Sequence, residues 1–277
     1  MNTMSLSEQL TYSTVQIECL YKNHLTGSGT GFIINLCKKD NVCVPVIITN
    51  KHVIKDSDVI GISFCLRNEN GEPIDTEIVN INMNGMQWLM HPDNNVDLCC
   101  MPLAQVLREI ESKNISAFYI PLETNLIPDE DTVQSLLAIE DVTMLGYPIG
   151  LSDKYNHKPI IRRGITATHI KNDYNGKKEF VVDMACFPGS SGSPIFILNE
   201  GGYTDARHNL MLQSRILFIG VLYAGPQQFA EGNIVFNTIP NIPHTVTQIP
   251  INLGIAIKSK MVLDFEQFFN DEVQNNG

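Results

Sequence analysis

Apolar and polar residues alternate from Thr14 to Cys19 (Thr-Val-Gln-Ile-Glu-Cys), the period of a half-buried strand. Thr30–Leu36 and Val44–Thr49 are compact apolar runs, and the Lys38-Lys39-Asp40-Asn41 between them has the composition of a hairpin. Further strands are predicted at Val59–Leu66, Glu77–Met83, Asp97–Met101, Asp141–Leu145, Ile160–Ile170, Glu179–Met184, Pro194–Leu198, Leu217–Tyr223 and Leu253–Ile257. Gly, Pro and Asn punctuate them at short intervals, so the chain reads as all-β, with antiparallel barrels or sandwiches and not βαβ units. Two segments carry the helical period instead. Leu103, Val106, Leu107 and Ile110 fall at i, i+3, i+4 and i+7, and Met261–Phe269 places Met261, Phe265, Phe268 and Phe269 on one face. Gly225–Pro250, with Pro226, Pro240, Pro243 and Pro250, reads as a long loop.

Composition narrows the class. A chain of 277 residues, 43% hydrophobic and 18% charged, is an ordinary globular chain of nearly two domains or one large β domain. Its net charge of −11 opposes binding to nucleic acid, whose affinity rests on Lys and Arg displacing counterions. Cys19, Cys37, Cys43, Cys65, Cys99, Cys100 and Cys186 form no CxxC pair, so neither a zinc site nor a complete disulfide framework is expected. Met1–Tyr12 lacks the basic start and apolar run of a secretory signal, and no run reaches the roughly 18 apolar residues of a membrane helix. The expected setting is a reducing cytoplasm, with no membrane, metal or cofactor. Asn114–Asp153 holds no Lys or Arg but has Glu123, Asp129, Glu130, Asp131, Glu140, Asp141 and Asp153. It reads as a solvated connector or, alternatively, as a docking surface for a basic regulatory protein.

The strongest chemical signal is Phe187-Pro188-Gly189-Ser190-Ser191-Gly192-Ser193-Pro194. It differs from the Gly-x-Ser-x-Gly elbow, because Ser193 stands two positions after Ser191. Its sparse side chains would let the amides of Gly189 and Ser191 converge on an oxyanion beside the Ser191 hydroxyl. A nucleophilic serine needs a base, and the base needs an orienting carboxylate. His52 follows directly on an apolar strand in Val46-Ile-Ile-Thr-Asn-Lys-His52, and Asp97 opens the apolar run of Asn95-Val-Asp97-Leu-Cys-Cys100. Gly27-Ser-Gly-Thr-Gly31 lacks the Gly-Lys-Ser/Thr ending of a phosphate loop, which disfavours nucleotide binding.

In this order, His52, Asp97 and Ser191 resemble the triad of chymotrypsin-fold serine proteases, which implies a base, an orienting carboxylate and a nucleophile in these three positions. Within that fold the chain is most similar to bacterial Do-like trypsin-like peptidases. Gly27–Ile34, Ile48–Val53, Asn95–Leu98, Gly146–Leu151, Arg163–Ala167 and Asn252–Ile257 resemble motifs of that branch in sequence order, over about Val15 to Met261. The resemblance implies two antiparallel six-stranded barrels, at about 13–102 and 141–260. A connector with a short helix would lie between them at 103–140, and a C-terminal helix and tail at 261–277. It further implies a serine endopeptidase acting on protein or peptide substrates. Ala185, six residues before Ser191, would floor the primary specificity pocket and favour small or apolar side chains. Leu222, Tyr223 and Ala224 would pair with the substrate backbone. The chain departs from the wider family in three ways: Ser190 replaces the Asp that pairs with a freed N-terminus, too few residues follow Met261 for a peptide-binding domain, and Ser193 stands where a glycine is more common after Ser-Gly. Together with the cytoplasmic setting, these departures suggest a conditionally active bacterial enzyme, in stress or antiphage defence. The alternative is a catalytically silent protease fold used for binding.

Overall fold

The computed structural model describes residues 4–39, 42–85, 87–225, 227–233 and 244–269. Its first half is one sheet. It contains β1 (Thr14–Tyr21), β2 (His24–Lys39), β3 (Val42–Thr49), β4 (Val59–Arg67), β5 (Pro73–Asn84), β6 (Leu89–Met90), β7 (Cys99–Pro102), β8 (Ala117–Phe118) and β9 (Leu122–Glu123). The order along the sheet is β5-β4-β1-β2-β3-β7-β6, with β8 beside β4 and β9 beside β2. Six of these strands are the longer ones the alternation predicts; β6, β8 and β9 are pairs of residues added to them.

The second half closes into a barrel in the order β10-β11-β12-β19-β16-β13. Its members are β10 (Asp141–Gly146), β11 (Ile160–Thr166), β12 (Glu179–Asp183), β13 (Pro194–Asn199), β16 (Arg215–Ala224) and β19 (Leu253–Lys258). Two separate hairpins project from it: β14 (Tyr203–Thr204) with β15 (Leu210–Met211), and β17 (Gln227–Asn233) with β18 (His244–Pro250). The stretch expected to be a long loop after Gly225 is thus largely an antiparallel ladder, from Gln227↔Pro250 to Asn233↔His244. Its four prolines hid it, since proline interrupts a strand pattern without forbidding strand ends.

Alternation along β2 and β3 explains why those runs are apolar throughout. Ile33 and Ile47 point into the core of the first half with Val15, Ile17, Ile62 and Ile81. Their neighbours Phe32, Ile34, Val46 and Ile48 point the other way, into a seam shared with Phe196, Phe218, Val221 and Ile257 of the barrel. Both faces of these strands are buried, so the polar half of the pattern disappears. Phe32 and Phe218 meet edge to face across the seam, with centroids 5.2 Å apart. A third core, around Val142, Met144, Phe180, Val182, Ile195 and Ile219, fills the barrel itself.

Among the described residues four α-helices accompany the strands: α1 (Leu6–Thr11), α2 (Lys51–Ile54), α3 (Leu103–Ser112) and α4 (Glu130–Ser135). α3 buries Leu103, Val106 and Ile110 as its period predicts. The C-terminal segment is wound as a 3₁₀ helix, Ser259–Phe268. Val262, Phe265 and Phe269 are buried in the seam core and Met261 packs against it, while Phe268 is 40% exposed. Of the four residues expected on one face, Phe268 alone turns outward. The residues after Phe269 lie outside the described ones.

The acidic connector is engaged within the chain. Glu123 bonds Lys38 at 2.8 Å, Glu140 bonds Arg215 at 2.6 Å, and Asp141 bonds Arg163 at 3.1 Å. Asp129 caps α4 through the amide of Thr132, and Asp153 accepts from the amides of Tyr155 and Asn156. Three of its seven carboxylates thus meet a cation from another strand, and two more accept from backbone amides.

Candidate active site

The register of β3 on β7 brings the first two site residues together. Thr49 pairs with Cys99, so the chain leaving β3 and the chain entering β7 emerge side by side. His52 lies three residues beyond Thr49, in α2, and Asp97 two residues before Cys99. Its Nδ1–H donates to Asp97 Oδ2 at 2.5 Å, and its backbone amide donates to Asp97 Oδ1 at 3.2 Å. The carboxylate thus holds the ring by one oxygen and the helix turn by the other, fixing the tautomer with Nε2 unprotonated in the neutral ring. Among the described residues Nε2 has no hydrogen-bond partner. Buried Asn50 donates to the Asp97 carbonyl at 2.8 Å. The loop before Asp97 is pinned at His91, whose Nε2–H donates to the Met261 carbonyl at 2.9 Å while Nδ1 accepts from Asp93.

Ser191 comes from the other half, on the turn between β12 and β13. It lines, with His52 and Gly189, a cleft of about 860 Å³ that Tyr21, Gly27, Ser28 and Val53 complete from the first sheet. Its hydroxyl donates to the Tyr223 carbonyl at 3.4 Å, and no hydrogen bond to His52 is formed. Such catalytic bonds are often long before substrate arrives. The Pro188 carbonyl accepts from the Ile149 amide at 2.5 Å. In a trans peptide this leaves the Gly189 N–H on the opposite side. Neither that amide nor the Ser191 amide donates to any described residue. They are the two groups expected to form an oxyanion hole.

Next to them, Gly192 is irreplaceable on steric grounds. Its φ is +86°, and a Cβ there would lie 1.8 Å from the Thr30 carbonyl. Ser193, the departure from a second glycine, is fully buried, and its hydroxyl has no partner.

The residues expected to meet substrate divide into two groups. Leu222 donates its amide to the Ser193 carbonyl at 2.9 Å and accepts from the Gly192 amide at 2.8 Å. Both of its backbone groups hold the nucleophile loop, so Leu222 supports the loop and is unavailable to pair with a peptide. Tyr223 is the extra residue where the register of β16 on β19 shifts, and Ala224 resumes the ladder opposite Ile255. Half-buried Ala185 presents its carbonyl to Arg162 Nη1 at 3.0 Å.

Sequence reasoning missed two residues at this site. Thr30 is buried; its hydroxyl donates to the Gly189 carbonyl at 3.1 Å and accepts from the Tyr147 amide at 2.9 Å. Its amide donates to the Ser191 carbonyl at 2.9 Å, and its carbonyl accepts from Thr49 Oγ1 at 2.8 Å. Its only signal was a polar residue inside an apolar run. The other is Arg162, on the inward side of β11, where alternation calls for an apolar residue. Among the described residues, no group of three His, Cys, Asp or Glu side chains is arranged to hold a metal ion. No helix among them is long and apolar enough to cross a membrane.

A closed six-stranded barrel and a second β sheet, meeting at a cleft that holds a histidine–carboxylate pair and a serine, have the chymotrypsin-like architecture. Over residues 29–202 the chain matches the trypsin-like peptidase domain and belongs to that family. Among solved structures it is similar to the serine endoprotease from Yersinia pestis, with 18% identity and a TM-score of 0.48 over 95% of this chain and 64% of that one. The chain therefore spans under two thirds of that protein's length. No curated protein matches it.

Proposed function

We propose that the chain is a serine endopeptidase in which Ser191 is the nucleophile, His52 the general base and Asp97 the carboxylate that orients it. The observation that carries this reading is the 2.5 Å bond from His52 Nδ1 to Asp97, formed in the same cleft as Ser191. In the reaction, the Ser191 hydroxyl turns from the Tyr223 carbonyl to His52 Nε2. Its oxygen attacks the peptide carbonyl carbon as the proton passes to Nε2. His52 then returns the proton to the leaving amine, and water hydrolyses the acyl-enzyme by the reverse sequence. The amides of Gly189 and Ser191 stabilise the oxyanion, by roughly 2.7–4 kcal/mol for each donor in comparable sites. Tyr223 and Ala224 pair with the peptide backbone, and Ala185 floors a pocket for small or apolar side chains.

A fluorophosphonate probe tests the assignment. Wild type should label and Ser191→Ala should not; equal labelling of the two would overturn it. A folded wild type that neither labels nor turns over peptide would favour the silent binding module.

The compartment assigned with this reading is the reducing cytoplasm, which suits Cys19, Cys99, Cys100 and Cys186 as buried free thiols. Burial pushes Cys100 up to about 12 and Cys186 up to about 11, so these thiols stay protonated and unreactive at neutral pH. Alkylation of the natively isolated protein after denaturation should modify every cysteine; a protected pair would place the chain in an oxidising compartment.

A further inference from the structure

We propose that Arg162 is a positioning residue of the nucleophile loop, tying Ser190 to Ala185 and so fixing the turn that carries Ser191 and both oxyanion amides. The proposal rests on the peptidase reading above. Arg162 lies on β11, where Ile160, Arg162, Gly164 and Thr166 face inward and Ile161, Arg163 and Ile165 face out. Its Nη1 donates to the Ser190 hydroxyl at 2.6 Å and to the Ala185 carbonyl at 3.0 Å. Ser190 is fully buried and immediately precedes the nucleophile. One guanidinium nitrogen therefore joins the start of the 185–191 segment to its end.

The rest of the guanidinium makes its role more specific. Nε and Nη2 are buried without a hydrogen-bond partner, and no carboxylate among the described residues lies within ion-pair distance. Burial holds the group below its ordinary basicity, and the neighbouring Cys186 offsets this only in part. A buried cation without an anion is unfavourable, and a methionine of similar length would fill the space without that penalty. What methionine lacks is a donor that reaches two acceptors on the loop. The loop is already held on its other side, by Ile149 on the Pro188 carbonyl and by Thr30 on the Gly189 carbonyl. Arg162 supplies the tie on the inner side, from within the same barrel.

The test uses the full chain, with melting temperature, fluorophosphonate labelling rate and peptide turnover measured on each variant. Arg162→Met should remain folded, with kcat and labelling reduced about 10²-fold, the scale of an ångström-sized misplacement, and KM changed less than threefold. Arg162→Lys should recover part of the labelling rate. Ser190→Ala removes the main acceptor without disturbing the barrel and should also slow labelling. In the Arg162→Met background it should add little. Ser190→Asp gives the unpartnered donors a carboxylate and should raise the melting temperature in wild type but lower it in Arg162→Met. If the wild type labels normally and Arg162→Met labels at the same rate per folded molecule, the proposal fails alone. Equal shifts from Ser190→Asp in both backgrounds would also overturn it. A wild type that takes no probe defeats the peptidase reading instead, and this proposal falls with it.

Discussion

Replacing Thr30 by valine keeps the shape of the side chain and deletes one oxygen. That oxygen donates to the Gly189 carbonyl and accepts from the Tyr147 amide, at 3.1 and 2.9 Å, in a buried position. Valine leaves both backbone groups without partners. Each buried group left unsatisfied costs about 1–3 kcal/mol, so the two together should cost about 2–6 kcal/mol. Some relaxation of the exposed side of the Gly189 loop favours the lower half of that range. At roughly 2–4 °C per kcal/mol for a chain of this size, the melting temperature should fall by about 4–16 °C. Activity should fall further than stability, because the Gly189 carbonyl belongs to the segment that presents the oxyanion amides. Calorimetry and probe labelling on the same preparations separate the two effects. Thr30→Ser keeps the oxygen and should stay close to wild type in labelling. A valine variant that melts within a degree of wild type and labels at the same rate would refute the hub role of Thr30.

Asp97→Asn keeps the shape of the pair but makes His52 Nδ1 an acceptor, placing its proton on Nε2; turnover should fall by about 10⁴, the scale of the wrong tautomer in a Ser-His-Asp triad, with little change in melting. Retention of more than a tenth of the activity would show that Asp97 does not set the tautomer. Gly192→Ala should fail to give soluble folded protein, because its φ of +86° and a Cβ 1.8 Å from the Thr30 carbonyl leave no relaxed placement. A well-folded alanine variant would mean that β2 can withdraw from the loop. Hydrogen bonds from Lys178 and then Lys258 hold Asp173 below its ordinary value of 3.8. A depressed carboxylate adds stability that is present above its unfolded value and lost as pH falls through the folded one. Acid denaturation should therefore steepen below about pH 4, and Asp173→Asn should flatten that limb while lowering stability at neutral pH. A parallel acid limb in the two proteins would remove this group from the account.

The strand pattern was legible because alternate residues face different surroundings, and because Gly, Pro and Asn mark the turns between strands. His52 and Asp97 were legible for a related reason: each sits at the end of a run whose apolar character places it in the core. The order of three motifs then made a site that none of them made singly. What escaped detection depends on register and on contacts distant in sequence. Thr30 meets Tyr147 and Gly189 only after the two halves dock. Arg162 is an inner-face residue only once β11 has been phased against β10 and β12. The C-terminal segment is wound as a 3₁₀ helix that buries Val262 beside Phe265 and Phe269 and leaves Phe268 exposed. The acids of the connector look like one patch in sequence because linear charge density ignores where each side chain turns. In the fold, Arg215, Arg163 and Lys38 come to meet them from other strands.

The division of the site between two halves has a mechanical consequence. The His52–Asp97 pair is complete within the first sheet, and the Ser191 turn is shaped within the barrel by Arg162 and Leu222. What remains, the placement of Ser191 against His52, depends on contacts across the seam. Those include the Phe32–Phe218 packing, the ties that Thr30 makes to Tyr147, Gly189 and Ser191, the bond from His91 to the Met261 carbonyl, and the Lys158–Asp75 ion pair at 2.8 Å. A small slip along the seam would move the nucleophile relative to its base while both cores stayed filled. The Ser191 hydroxyl, held by Tyr223 at 3.4 Å and unattached to His52, sits on this adjustable coordinate. On the proposed peptidase reading, a substitution that loosens the seam should therefore lower turnover before it lowers the melting temperature.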